Sequence, residues 1–261
     1  MSLLTENEII ENWEKMINYA KKYIKGERLD NVLKLFEYFE DRMSIAPASA
    51  KEYYHNAFPG GYVAHINHVT DLALKIKNMW ETEGARINFT DEELVFSALF
   101  HDLGKVGDLN DDYYVPNDSQ WHREHQGKIY SFNKLANFML VADRTFYLLN
   151  QFLIKYSINE FLGIKLAGGL YDSENQRYLV CYSDELQPKT NIGYILHHAD
   201  MTATRIEYDK WKYSNKNEEK EDDTSNVKQK KTLGDISAPK LDENFFKELF
   251  DDIEGANKND K

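Results

Sequence analysis

Residues 6–24, ENEIIENWEKMINYAKKYI, set Ile9, Ile10, Trp13, Met16, Ile17, Tyr19 and Ile24 mostly three or four positions apart, with acids early and lysines late. That spacing lines one face of a helix, and the charge order suits the helix dipole, so the stretch predicts an amphipathic helix. LDNVLKLFEYFEDRM repeats the pattern after a connector containing Gly26 and ends before SIAPAS, where Pro47 marks a boundary. A third helix begins after Gly60 and Gly61 in FPGGYVAHINHVTDLALKIKNMW, carrying Val63, Ile66, Val69, Leu72, Leu74, Ile76 and Trp80. A fourth opens at Thr90, which forms a capping-box pattern with Glu93, and runs DEELVFSALFHDLG. Both read as core helices.

The pattern then loosens. DLNDDYYVPNDS, residues 108–119, is loop-like, rich in Asp and Asn and broken by Pro116. Helical spacing resumes through HREHQGKIYSFNKLANFML and DRTFYLLNQFLIKY, and TNIGYILHHADMTATRIEYDKW predicts one further helix. GGLYDSENQRYLVCY is the one plausible hairpin, with YLVCY as a short strand. The predicted fold class is all-α: a helical bundle with at most one small β-hairpin, followed by a flexible acidic C-terminal tail.

Residues 214–231, SNKNEEKEDDTSNVKQKK, hold one apolar residue, Val227, too little to offset the entropy of ordering. LDENFFKELFDDIEG regains a helical period, with Phe245, Phe246, Leu249, Phe250 and Ile253 on one face. The expected organisation is N-terminal helices at 1–45 packed on a core at 46–212, a charged linker at 213–240, and a short acidic amphipathic helix at 241–261. So short a helix is marginal alone, so it docks on its own domain or on a protein partner.

Composition narrows the function classes. The 261 residues are 42% hydrophobic and 13% aromatic, enough for one substantial core with small extensions. A formal charge of −12 disfavours broad attraction to nucleic-acid phosphates or anionic membranes, which makes long nucleic acid a poor substrate. The single cysteine, Cys181, excludes an internal disulfide and a four-cysteine zinc site, so a metal would have to be held by His and carboxylates. The N-terminus has no apolar core of signal-peptide length and no window reaches a membrane span, so the expected location is the cytoplasm.

The candidate chemistry sits in FSALFHDLGKVGD, residues 96–108, where an apolar run ends in His101, Asp102, Lys105 and Asp108. Neighbouring side chains on a helix diverge by about 100°, yet His101 and Asp102 can converge on an ion near the helix end, where the chain bends at Gly104. Further ligands would come from elsewhere: His65 and His68 lie one turn apart, His122 and His125 likewise, and LHHAD places His197 three before Asp200. An apolar helix that presents His or Asp incurs a desolvation cost unless the group is paired or ligated. His55 and His68 taken singly suit hydrogen-bonded core positions, and Arg144 and Arg205 suit ion pairs better than phosphate clamps.

FPGGYVAH, then ALFHDLGK about 36 residues later, then ILHHAD about a hundred further on, resembles the HD superfamily of metal-dependent phosphohydrolases over residues 46–212. The resemblance implies an all-helical bundle in which His65, His101, Asp102 and Asp200 bind a divalent cation such as Mn²⁺, Mg²⁺ or Co²⁺. Its implied activity is phosphoester cleavage in a nucleotide or short oligonucleotide by metal-activated water. Lys105 is then expected to reach a substrate phosphate, and His125 falls where several branches place a histidine that meets a second metal or the phosphate. Branches with a full two-metal set carry a further histidine where this chain reads LAGGLYD, so one ion is the expectation. Two other readings compete: a metal-binding adaptor acting through its C-terminal peptide, and a di-iron oxygenase, for which only His122, His125 and His197 remain as spare ligands.

Overall fold

Thr5 accepts the Glu8 backbone N–H while the Glu8 carboxylate reaches back to Thr5, and Thr90 with Glu93 and Ser157 with Glu160 do the same, so three helices start at capping boxes. In the computed structural model, which describes residues 4–181, 183 and 185–221 (backbone alone for 214–221), four helices occupy the N-terminal half. These are α1 (Glu6–Tyr23), α2 (Gly26–Ile45), α3 (Gly61–Thr82) and α4 (Asp91–Phe100). After a 3₁₀ turn at Leu103–Val106 come β1 (Tyr114–Pro116), α5 (Gln120–Gln126), β2 (Tyr130–Phe132), α6 (Val141–Gln151), α7 (Ile158–Leu166), α8 (Gln176–Leu179) and α9 (Ile192–Glu221). The fold is mostly α, with one two-stranded sheet among the described residues. No helix there is long and apolar enough to cross a membrane.

Two apolar clusters explain the order of packing. Trp13, Met16, Phe36, Phe39 and Met43 of α1 and α2 join Tyr62 and Ile66 of α3 and Phe96 and Phe100 of α4. Val69, Ala73, Leu94 and Ala98, from the other faces of α3 and α4, meet Ile195, Leu196, Ala199 and Ala203 of α9. Every residue from Leu94 to Phe100 is therefore buried, as expected of a helix that is apolar all round. The segment 1–45 supplies part of the main core, and a fully buried Phe such as Phe36 contributes roughly 2 kcal/mol by removing apolar area from water.

Two sequence expectations are corrected here. In its described residues, 168–181, the stretch GGLYDSENQRYLVCY forms 3₁₀ turns at Gly169–Tyr171 and Ser173–Asn175 followed by α8, not a hairpin. The Asp172 carboxylate accepts the Glu174 N–H at 3.0 Å and the Asn175 amide donates to the Gly169 carbonyl, so side chains satisfy the backbone locally and no ladder is needed. The hairpin lies instead where a loop and a helix were expected. β1 and β2 pair antiparallel with Tyr114 opposite Phe132, their rings stacked at 5.7 Å, and α5 between them stops at Gly127 in the left-handed region.

The backbone of α9 continues to Glu221, so the expected linker boundary at 213 falls within it. Residues 222–261, including the expected acidic helix at 241–261, lie outside the described residues.

Candidate metal centre

Three elements deliver the expected ligands to one place. His65 comes from α3, whose start is set by Gly60 in the left-handed region and by Gly61, where a Cβ would lie 2.1 Å from the Asn56 carbonyl oxygen. His101 is still helical at the end of α4, but Asp102 turns off at φ −110°, ψ 12°. That break lets two adjacent side chains converge. Asp200 comes from α9.

The histidine Nε2 atoms face the carboxylates. His65 Nε2 lies 3.2 Å from Asp200 Oδ1 and 3.9 Å from Asp102 Oδ2; His101 Nε2 lies 3.5 Å from Asp102 Oδ2 and 4.0 Å from Asp200 Oδ1. Both Nε2 atoms are buried without a hydrogen bond, the close approaches lacking its alignment. Around a cation with bonds of ~2.1 Å, neighbouring donors sit roughly 3.0–3.4 Å apart and opposite donors roughly 4.2 Å. The observed separations span that range. The ligand atoms of His65, His101 and Asp102, all buried, lie within 4.8 Å of one another, so this group could hold a metal ion. Two imidazoles with carboxylates are donors of intermediate softness, suited to a first-row divalent ion better than to calcium.

The Nδ1 side of each ring is fixed. His101 Nδ1 donates to the Ala98 carbonyl at 2.8 Å, and His65 Nδ1 donates to Glu207 Oε2 at 3.0 Å. Burial would push the Glu207 carboxyl up, but His65 and His68 hold it down to about 2. Burial likewise opposes ionisation of Asp102 and Asp200. Lys105 and His101 hold Asp102 below the usual carboxylate range, while a close approach to His65 and the charge of His101 do so for Asp200. For His65, burial disfavours the charge, yet Glu207 and Asp200 raise its pKa to about 10. These negative groups favour a cation at the centre.

Lys105 stands beside the donors, its ammonium 2.7 Å from Asp102 Oδ2 and 3.2 Å from the Ala48 carbonyl. Burial opposes its charge, but Asp102 raises its pKa well above the ordinary value. His125 is not brought to this group: it is exposed on α5, stacked on Trp121 at 5.2 Å, with Nδ1 donating to the Trp121 carbonyl. His122 bonds Ser119 Oγ, and His197 donates to the Ala167 carbonyl. Arg144 is fully buried and donates to the carbonyls of Gly104 and Asn137 beneath the Tyr113 ring, a structural role, whereas Arg205 is exposed.

One neighbour of the centre, Glu207, was missed from sequence, and the hydrogen-bonded core position expected of His55 is corrected. His55 packs its ring 4.6 Å from that of His65, with both ring nitrogens buried and unpartnered. Glu207 lies seven residues after Asp200, two turns along the same face of α9, and that spacing was a readable signal. Comparison with family models, with curated proteins and with solved structures returned no match.

Proposed function

We propose that the chain is a metal-dependent phosphohydrolase of the HD type acting on a nucleotide-sized substrate. The observation that carries the reading is a fixed ammonium, Lys105, placed 2.7 Å from Asp102 within a convergent set of His65, His101, Asp102 and Asp200. Both kinds of group stabilise the charge that develops on a phosphoester during hydrolysis. His65, His101, Asp102 and Asp200 would hold one divalent ion, Mn²⁺, Mg²⁺, Co²⁺ or similar, which when bound would supply Lewis acidity and a water of lowered pKa. Lys105 sets a positive charge where a non-bridging phosphate oxygen gains charge during hydrolysis. Asp102 keeps that ammonium in place. The chain's net charge of −12 favours a small substrate over a long nucleic acid. The lone Cys181 suits a reducing cytoplasm.

The test is release of phosphate or nucleoside from a panel of nucleotides with Mn²⁺, Mg²⁺ or Co²⁺, comparing the wild type with Asp102→Ala. Turnover by the wild type, reduced at least a hundredfold in the variant, supports the proposal. A folded, metal-loaded wild type that turns over none of the panel, or an Asp102→Ala chain of equal activity, overturns it.

A further inference from the structure

His101 and His65 solve one problem differently. Each needs its Nδ1 proton held so that Nε2 offers a lone pair to the shared centre. His101 sits at the end of α4, where the Ala98 carbonyl is among the last four that a helix leaves without a backbone partner, and it uses that oxygen. His65 lies in the second turn of α3, where the surrounding carbonyls are engaged in the helix ladder. An acceptor has to come from another element.

That acceptor is Glu207 of α9, buried, with one oxygen for each of two rings: Oε2 at 3.0 Å from His65 Nδ1 and Oε1 at 2.8 Å from His68 Nδ1. An ionised carboxylate only accepts hydrogen bonds, so both rings must carry their Nδ1 proton. We propose that Glu207 is a positioning residue that fixes His65 in the tautomer able to bind the cation through Nε2, and that His68 locks Glu207 in place. This rests on the reading of His65 as a metal ligand. His68 lies one turn after His65 on α3 with its side chain 24% exposed, and braces the carboxylate from the outer side. A glutamine at 207 has one oxygen and one NH₂, so it accepts from a single ring and obliges the other to present a lone pair at Nδ1. Where that ring is His65, its proton moves to Nε2 and blocks the metal.

The experiment is calorimetric titration of the full chain with Mn²⁺ alone, for the wild type, Glu207→Gln, Glu207→Asp and His68→Gln. A second readout is ¹⁵N NMR of the histidine rings in the Zn²⁺-loaded protein. The expected result is a 10–100-fold weaker Mn²⁺ affinity in Glu207→Gln, a smaller loss in His68→Gln and partial recovery in Glu207→Asp, with the Nδ1–H signature of His65 lost in Glu207→Gln. A merely structural Glu207 would shift the melting temperature of the metal-free protein and leave the tautomer unchanged. Glu207→Gln binding within twofold of the wild type, with His65 unaltered, overturns the proposal while leaving the metal site standing. If Glu207→Gln does not fold, His68→Gln decides by the same twofold criterion. A wild type that binds no Mn²⁺ overturns the metal reading itself.

Discussion

Gly104→Ala is a steric test of how the His101–Asp102 turn is held against α6. A Cβ at position 104 would lie 2.2 Å from the Val141 carbonyl oxygen and 2.9 Å from its carbonyl carbon. Both are backbone atoms, so no side chain can swing aside, and reaching ordinary contact requires a separation of roughly 1 Å. Two hydrogen bonds span that gap: Gly104 N–H to Thr145 Oγ1 at 2.9 Å, and Arg144 Nη1 to the Gly104 carbonyl at 3.3 Å. Losing the neutral bond costs about 1 kcal/mol and the charge-assisted one about 2, with overpacking strain of about 1–2 more. The expected loss is therefore roughly 4–5 kcal/mol. In a domain of this size each kcal/mol moves the melting temperature by about 2–4 °C, so the variant should melt roughly 8–20 °C lower. Thermal unfolding followed by circular dichroism in chelator, with urea midpoints alongside, measures it. A melting temperature within 2 °C of wild type would refute the reasoning, because it would mean that α6 yields without breaking either bond.

Lys105→Met removes an ammonium that shares Asp102 Oδ2 with the candidate metal donors; Mn²⁺ affinity should rise severalfold while turnover of the proposed substrate falls at least tenfold, and a parallel fall in both would count against the assignment. Arg28→Met strands Glu160, whose carboxylate is fully buried 2.5 Å from Arg28 Nη2, and should cost ~3–5 kcal/mol in urea unfolding, most of it recovered in the Arg28→Met, Glu160→Gln double variant. Burial raises the Glu160 pKa above its ordinary value despite Arg28, so protonation favours the folded state and stability from this group declines as pH rises through the folded pKa. The Arg28→Met defect should therefore be smaller at pH 5 than at pH 8. Asp71 has the opposite sign: burial would raise its pKa, but hydrogen bonds from Lys15 and Tyr19 lower it below 3.8. Its contribution, about 0.5 kcal/mol for so exposed a pair, is present above pH 4 and lost as pH falls through the folded value. Asp71→Asn should converge on the wild type in stability as pH falls below about 4 and through the folded value, and a gap that does not narrow with falling pH would contradict this.

What the sequence disclosed and what it hid follow from the range of the interactions. α1, α3, α4 and α9 each bury a stripe or a whole circumference, and burial imposes a helical period that local spacing reveals. His65, His101, Asp102 and Asp200 stood out because polar groups interrupt those apolar stripes. The β1–β2 pair was hidden because each strand is three residues long and takes its register from the other, across α5. His125 was expected at the site because the resemblance implies a histidine there, yet Gly127 ends the helix within two residues and leaves the ring on the surface with Trp121. Glu207 escaped notice because its partner is a ring on α3, 142 positions away, and acids on helices are ordinarily solvated.

Charge balance ties these residues to the kind of cation the centre suits. Asp102, Asp200 and Glu207 are three carboxylates held ionised in a buried region, and Lys105 is the one lysine in direct contact with them among the described residues. One lysine cannot neutralise three acids, and the excess pulls a proton onto His65, whose pKa rises to about 10. With His65 and His101 neutral, as ligation requires, a charge of +2 closes the balance where a monovalent ion would leave a buried negative charge and a trivalent one a positive charge. A divalent ion must therefore displace the His65 proton, so calorimetry in buffers of different ionisation enthalpy should register the release of about one proton per Mn²⁺ bound at pH 7. No proton release would mean that His65 is not ligated through Nε2, and the four-residue centre would have to be redrawn without it.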